Sequence, residues 1–392
     1  MAYIQWIDED IPNRKRAKVC YDVKTLDGSR KRRSKTFEAG TPMKTIRTFM
    51  RKVEDEYENG VGIDYTKRTL KMFIEEYFAL YGKYLSPSTR RNYNQMANAK
   101  ENGIICRLGN VELKKLNTAI VQKYVNFLYD KGLSPKTIKN YTMFLHTLYE
   151  RAIRLRYVPQ NMNVISLVDI PKLRKKKVES YSLEEVQTLL RLADQYATDR
   201  LRLQIYLGVG TGARRSELAA IKIESIDFEK KVLHITESKV SLGGTEPDVV
   251  KEPKTNCGVR DIPLGDVLIR ELRKAVIRYN KNKIKHGKKF QDSRYIFSDE
   301  FGRPYKTDTM TGTYREFMKK HEYEIRYLPF HSASRHTYAS LAVANGIDIK
   351  CLQEILGHAD ASTTLNTYAN SYFEKKREYA DVVDKTIFAK QA

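Results

Sequence analysis

The sequence predicts a multidomain, mainly α-helical chain with small β elements. Three observations carry that expectation. The chain has 392 residues, more than one hydrophobic core ordinarily organises, so two or three domains are expected. Strand-like alternation is confined to a stretch near the N-terminus and another around residues 231–264. Most of what lies between and beyond shows apolar residues at helical spacing behind recognisable helix starts.

The first unit is expected over residues 1–62. Lys18-Val19-Cys20-Tyr21-Asp22-Val23-Lys24 alternates as a strand, Asp27-Gly28 is a hairpin signal, and Arg30 to Phe37 reads as a basic returning strand. A helical pattern then runs from Pro42 through Ile46, Phe49, Met50 and Val53 to about Tyr57. The result is a small basic sheet backed by one helix. It fits a DNA groove or is a solvated charged hairpin.

Residues 63–170 read as helical. Leu70, Phe73, Ile74, Tyr77, Phe78 and Tyr81 mark one face of a helix. Ser86-Pro87-Ser88-Thr89-Arg90-Arg91 and Ser134-Pro135-Lys136-Thr137 are two capped starts with proline at the first helical position. Residues 171–178 form a basic, turn-rich linker. Ser182-Leu183-Glu184-Glu185 is a capping box that opens the last domain, 179–392. That domain is expected to be mixed α/β, with Val232–Ile235 and Val259–Pro263 as strands.

Lys and Arg number 71 against 48 Asp and Glu, a formal charge of +23. Such a field captures polyanions, nucleic acid first among them, with a soluble basic protein or a binder of anionic membrane as alternatives. No stretch is long and apolar enough for a membrane span. The N-terminal residues lack a basic segment followed by an apolar run, so a cytoplasmic protein is expected. Cys20, Cys106, Cys257 and Cys351 are scattered singly, which argues against a zinc site or a disulfide framework.

The chemistry-bearing candidates are cations. Gly208-Val209-Gly210-Thr211-Gly212 lacks the following Lys-Ser/Thr of a nucleotide loop, and no carboxylate cluster suits Mg²⁺. If the chain cuts a phosphodiester, side-chain cations must stabilise the charge, with no metal and no cofactor expected. Thr211-Gly212-Ala213-Arg214-Arg215-Ser216-Glu217-Leu218 places Arg214 at a helix start with Glu217 one turn away to orient an arginine. Lys254 lies in a turn-rich hairpin, Pro253 to Gly258. His331-Ser332-Ala333-Ser334-Arg335-His336-Thr337 opens an amphipathic helix. Leu356-Gly357-His358 reads as a helix end followed by a histidine, and Tyr368 lies downstream. Each segment alone is better explained by ordinary surface or core roles.

Together, and in this order, the four segments resemble the tyrosine recombinase (phage integrase) family, in particular integrases of conjugative transposons and temperate phages. That family carries Thr-Gly-x-Arg-x-Ser-Glu-Leu, a hairpin lysine, His-x-x-Arg-His-Thr, and Leu-Gly-His followed by a tyrosine. The resemblance covers the C-terminal domain, extends more loosely to the helical one as a core-type DNA-binding domain, and makes the N-terminal unit similar to an arm-type DNA-binding domain. It implies a catalytic set of Arg214, Lys254, His331, Arg335, His358 and Tyr368. The third motif departs from the family pattern, because three residues separate His331 from Arg335 and Ser332 occupies the histidine register. Either His331 still reaches the site, since i and i+4 share a helical face, or that position is weakened. His336 and Thr337 match the family's adjacent pair in a structural role.

The implied activity is site-specific recombination through a 3′-phosphotyrosyl link that integrates and excises a mobile element. The implied partners are double-stranded DNA at attachment or element-end sites and a homo-tetramer assembled on it, with room for an excisionase-type accessory protein. A type IB topoisomerase-like relaxase and a non-catalytic DNA-binding protein on the same scaffold are the alternatives.

Overall fold

The computed structural model describes residues 2–7, 15–24, 30–58, 68–158, 163–173, 178–243, 247–251, 258–357 and 380. The chain divides into two compact units, Met1–Arg174 and Lys175–Ala392.

The first unit holds two separate cores. Strands β1 (Tyr3–Ile7), β2 (Arg16–Lys24) and β3 (Arg30–Phe37) form an antiparallel sheet in that order, and helix α1 (Met43–Glu58) packs on β2. Residues of one parity, Ala17 and Val19, turn to Ile46 and Phe49 of the helix. The opposite parity carries Lys18, Asp22 and Arg32, and Arg32 Nε donates to Asp22 at 3.1 Å. Strand β1 was not anticipated; it completes the sheet by pairing Tyr3 to Ile7 with Cys20 to Arg16. The expected Asp27-Gly28 turn lies outside the described residues.

The second core is helical: α2 (Leu70–Tyr81), α3 (Pro87–Asn98), α4 (Ile104–Leu108), α5 (Thr118–Asp130) and α6 (Pro135–Arg154). Both anticipated serine caps are present. Ser86 Oγ accepts from the Thr89 N–H and Ser134 Oγ from the Thr137 N–H, each at 3.2 Å. Phe73, Ile74, Val121, Leu128, Phe144 and Leu148 are buried together, and Tyr93 stacks on Phe144 with ring centroids 4.0 Å apart.

The second unit opens with α7 (Leu183–Tyr196) behind the Ser182–Glu185 capping box, followed by α8 (Asp199–Thr211) and the four-residue α9 (Arg215–Leu218). The β insertion starts earlier than expected and splits in two. Strands β4 (Ile226–Asp227), β5 (Val232–Ile235) and β8 (Arg260–Pro263) form one sheet; β6 (Ser238–Val240) and β7 (Val249–Lys251) form the other. Helices α10 (Asp266–His286), α11 (Thr307–Lys320), α12 (Thr337–Ala344) and α13 (Ile349–Leu356) complete the unit. Helix α8 touches α7, α10, α11 and α12, which is why Leu201, Leu203, Ile205 and Leu207 are buried on nearly every side of it. Among the described residues no helix is long and apolar enough to cross a membrane.

Candidate active site

The site is built where α8 ends. Gly212 terminates that helix with φ +62°, a left-handed conformation that disfavours any side chain. A Cβ there would also meet the Tyr338 ring at 2.7 Å. The backbone then extends through Arg214, which stands at the N-cap of α9. Glu217, one turn on, accepts from the Arg214 backbone N–H at 2.9 Å and from its Nη1 at 2.6 Å. Arg214 thus sits at the helix start, as anticipated, with its side chain 36% exposed and able to meet a ligand.

Arg335 is reached from another direction. Residues Ser332–His336 form a π-helical turn, wider than the α-helix expected there. Gly208 lets α8 approach this turn closely, since a Cβ would lie 2.9 Å from Ser334 Cβ. Arg335 is 2% exposed, donating from Nη1 to the Gly212 carbonyl at 3.0 Å and from Nη2 to the Leu356 carbonyl at 2.6 Å. Arg214 Nη2 donates to the next carbonyl, Gly357, at 3.1 Å. The two arginines, far apart in sequence, therefore meet at the C-terminus of α13, where the helix dipole favours positive charge. Gly357 closes the helix end anticipated there, in a left-handed conformation with φ +62°.

The wider turn also settles which side chains face each other. In an α-helix, residues five apart point in different directions; here the His331 and His336 rings lie 4.7 Å apart, edge to face at 79°. Packing around the ring and the positive charges of His336, Arg335 and Arg214 pull the His331 pKa down to about 4. His331 is nonetheless exposed to solvent. The imidazole is therefore neutral near pH 7, and an anion that offsets its positive neighbours would favour its charged form.

Two buried cations were not singled out in the sequence. Arg260, at the start of β8, has a side chain only 6% exposed and donates from Nη2 to Glu217 Oε2 at 2.7 Å and from Nε to the Ile355 carbonyl at 2.6 Å. Burial pushes the Glu217 carboxyl up, but its hydrogen bond to Arg260 and the charges of Arg260 and Arg214 prevail and hold it below the usual range. A signal existed: Arg260 shares the strand face of buried Ile262, an inward position for a charge. Lys239 of β6 is 3% exposed, with Nζ 3.3 Å from the Tyr295 ring centroid. Burial pulls its pKa down to about 8.

This arrangement can be set beside known proteins. Residues 180–375 match the model of the phage integrase family, and residues 69–129 match its N-terminal SAM-like domain. The chain belongs to the phage integrase family. A tyrosine recombinase XerC-like protein of Caldanaerobacter subterraneus subsp. tengcongensis is 27% identical over 346 residues, covering 83% of this chain and 85% of that protein. Tyrosine recombinase XerA of Pyrococcus furiosus is 28% identical over 283 residues, covering 64% of this chain and 89% of its own length. Among solved structures, the Tn1549 transposon integrase in complex with a circular intermediate DNA is similar with TM-score 0.63 at 21% identity, over 79% of this chain and 99% of that one. A lambda integrase dimer bound to a COC′ core site is similar with TM-score 0.55 at 17% identity, over 90% of this chain and 92% of that one.

The integrase is accordingly a tyrosine-type site-specific recombinase with the mainly helical architecture of that family. Of its six sequence-derived site residues, Arg214, His331 and Arg335 come together around the end of α13. Lys254, His358 and Tyr368 lie outside the described residues.

Proposed function

We propose that the recombinase cuts and rejoins double-stranded DNA at attachment or element-end sites, with Tyr368 as nucleophile. In this reading the Tyr368 oxygen gives up its proton to solvent and attacks a phosphorus, the bond to the 5′ oxygen breaks, and a 3′-phosphotyrosyl link forms. Lys254 gives the leaving oxygen its proton. Arg214 and Arg335 offer forked donors to the non-bridging oxygens as charge builds. His358 donates to the same phosphate, and His331 assists the clamp. A free 5′ hydroxyl from a second duplex reverses the step, so no external energy source is consumed.

One observation carries the reading: two arginines more than a hundred residues apart land on successive carbonyls, Leu356 and Gly357, directly before His358. Residues 1–62 would bind arm sites and 63–170 core sites, joined by the 171–178 linker to the catalytic domain, 179–392. Exchange between two duplexes needs four active sites, hence a homo-tetramer on DNA, with an excisionase-type accessory protein setting direction. The similar Tn1549 integrase is in complex with a circular intermediate DNA and the similar lambda integrase dimer is bound to a core site, which supports the choice of partner.

The test is covalent trapping. Nicked duplexes tiling the DNA that flanks the coding sequence are incubated with the full chain and resolved on denaturing gels. An adduct that maps to Tyr368 and disappears in Tyr368→Phe is expected. An adduct at another residue, or none on any duplex, removes the proposal.

A further inference from the structure

Three consecutive carbonyls at the end of α13 are each taken by a different arginine: Ile355 by Arg260, Leu356 by Arg335 and Gly357 by Arg214. The last carbonyls of a helix have no partners within it, so such donors are expected somewhere. Here all three come from separate segments, β8, the π-turn and the N-cap of α9. Arg260 is the member to which the proposed clamp assigns no phosphate contact. Its side chain is buried, and it shares Glu217 with Arg214: Glu217 Oε1 accepts from Arg214 Nη1 at 2.6 Å and from Arg260 Nη1 at 3.3 Å, while Oε2 takes Arg260 Nη2 at 2.7 Å.

We propose that Arg260 is a positioning residue of the recombinase, acting through Glu217 and the Ile355 carbonyl to fix where Arg214 stands relative to the segment that begins at His358. The inference rests on the reading of Arg214 as a phosphate clamp. Its physical basis is the fork. One guanidinium reaches a carboxylate with Nη2 and a carbonyl with Nε, so the start of α9 and the end of α13 are held at one separation. Without it, a buried Glu217 would face Arg214 alone and draw it away from an incoming phosphate. Arg260 also opens β8 shortly after Lys254 in the chain, so it anchors the strand into which the lysine segment runs.

The experiment uses the full chain and the nicked duplex that traps it, under single turnover. Arg260→Gln should form adduct about 100-fold more slowly, the loss expected when a reacting group shifts by about an ångström. Its affinity for the uncut duplex should match the parent's. Arg260→Lys, which keeps the charge but not the fork, should be slow as well. In an Arg214→Lys background, Arg260→Gln should add little, because both act on one group. Parental cleavage by Arg260→Gln, or losses that multiply fully with those of Arg214→Lys, would overturn the inference. Should Arg260→Gln fail to fold, Arg260→Lys carries the test, and parental cleavage by it overturns the inference equally. Parental cleavage by Arg214→Lys would instead remove the clamp reading.

Discussion

The helical core of the first unit and the clamp of the second are stabilised by opposite means. Among the described residues of 68–170, the buried side chains are apolar or aromatic, with Thr142 and Asn163 the polar exceptions, and none is Asp, Glu, Lys, Arg or His. In the second unit Glu217, Lys239, Glu271 and Arg335 are all buried. An apolar core tolerates changes of shape, because its energy follows the area removed from water. A buried charge network tolerates almost none, since any lost partner leaves an uncompensated charge. The contrast locates the demand for precision where Arg214, Arg260 and Arg335, from three distant segments, meet the end of α13 around the buried Glu217.

Four experiments test that contrast. The largest effect is expected from Glu217→Gln, which preserves shape and removes charge. With Arg214 and Arg260 left against a neutral group, the second unit should lose about 3–5 kcal/mol in denaturant unfolding. A loss below that of an ordinary core swap would erase the contrast. Lys239→Met should act in the opposite direction. A buried ammonium is costly, so its removal should stabilise by about 1–3 kcal/mol at pH 7.

The sign with pH is fixed by the lowered pKa. The folded state releases its proton near pH 8 and the unfolded state near 10.5, so the parent should gain stability as pH rises through that window. Lys239→Met should lack that gain in thermal melts taken across it. In the helical core, Leu148→Met should cost less than about 1.5 kcal/mol, and Ser134→Ala, which removes a cap, about 1 kcal/mol. Urea titration measures both.

The smallest effect concerns His331. Its pKa near 4 in the free protein is set partly by positive neighbours that a phosphate would offset. Binding of the trapped duplex should therefore take up a proton and tighten as pH falls from 7 toward 5, by less than about tenfold. His331→Asn should flatten the dependence in fluorescence anisotropy. An unchanged slope would mean that the ring does not meet the DNA.

What the amino-acid order determined by itself is the set of features decided within a few residues. The serine caps at Ser86, Ser134 and Ser182, the glycine turn at Gly212, the helix end at Gly357, and the apolar face of α2 each depend on neighbours one or two turns away. The pairing of Arg214 with Glu217 was legible for the same reason. The edge strand β1 and the split of the β insertion were not, because pairing partners are chosen across the sheet. Nor was the π-turn at Ser332–His336, which turns His336 toward His331 and depends on the close approach of α8 at Gly208. Arg260 and Lys239 read as ordinary strand cations until the fold buried them. Only tertiary structure could bring three arginines to three successive carbonyls, since a guanidinium's partners are set by where the backbone of another segment runs and not by the residues beside it in the chain.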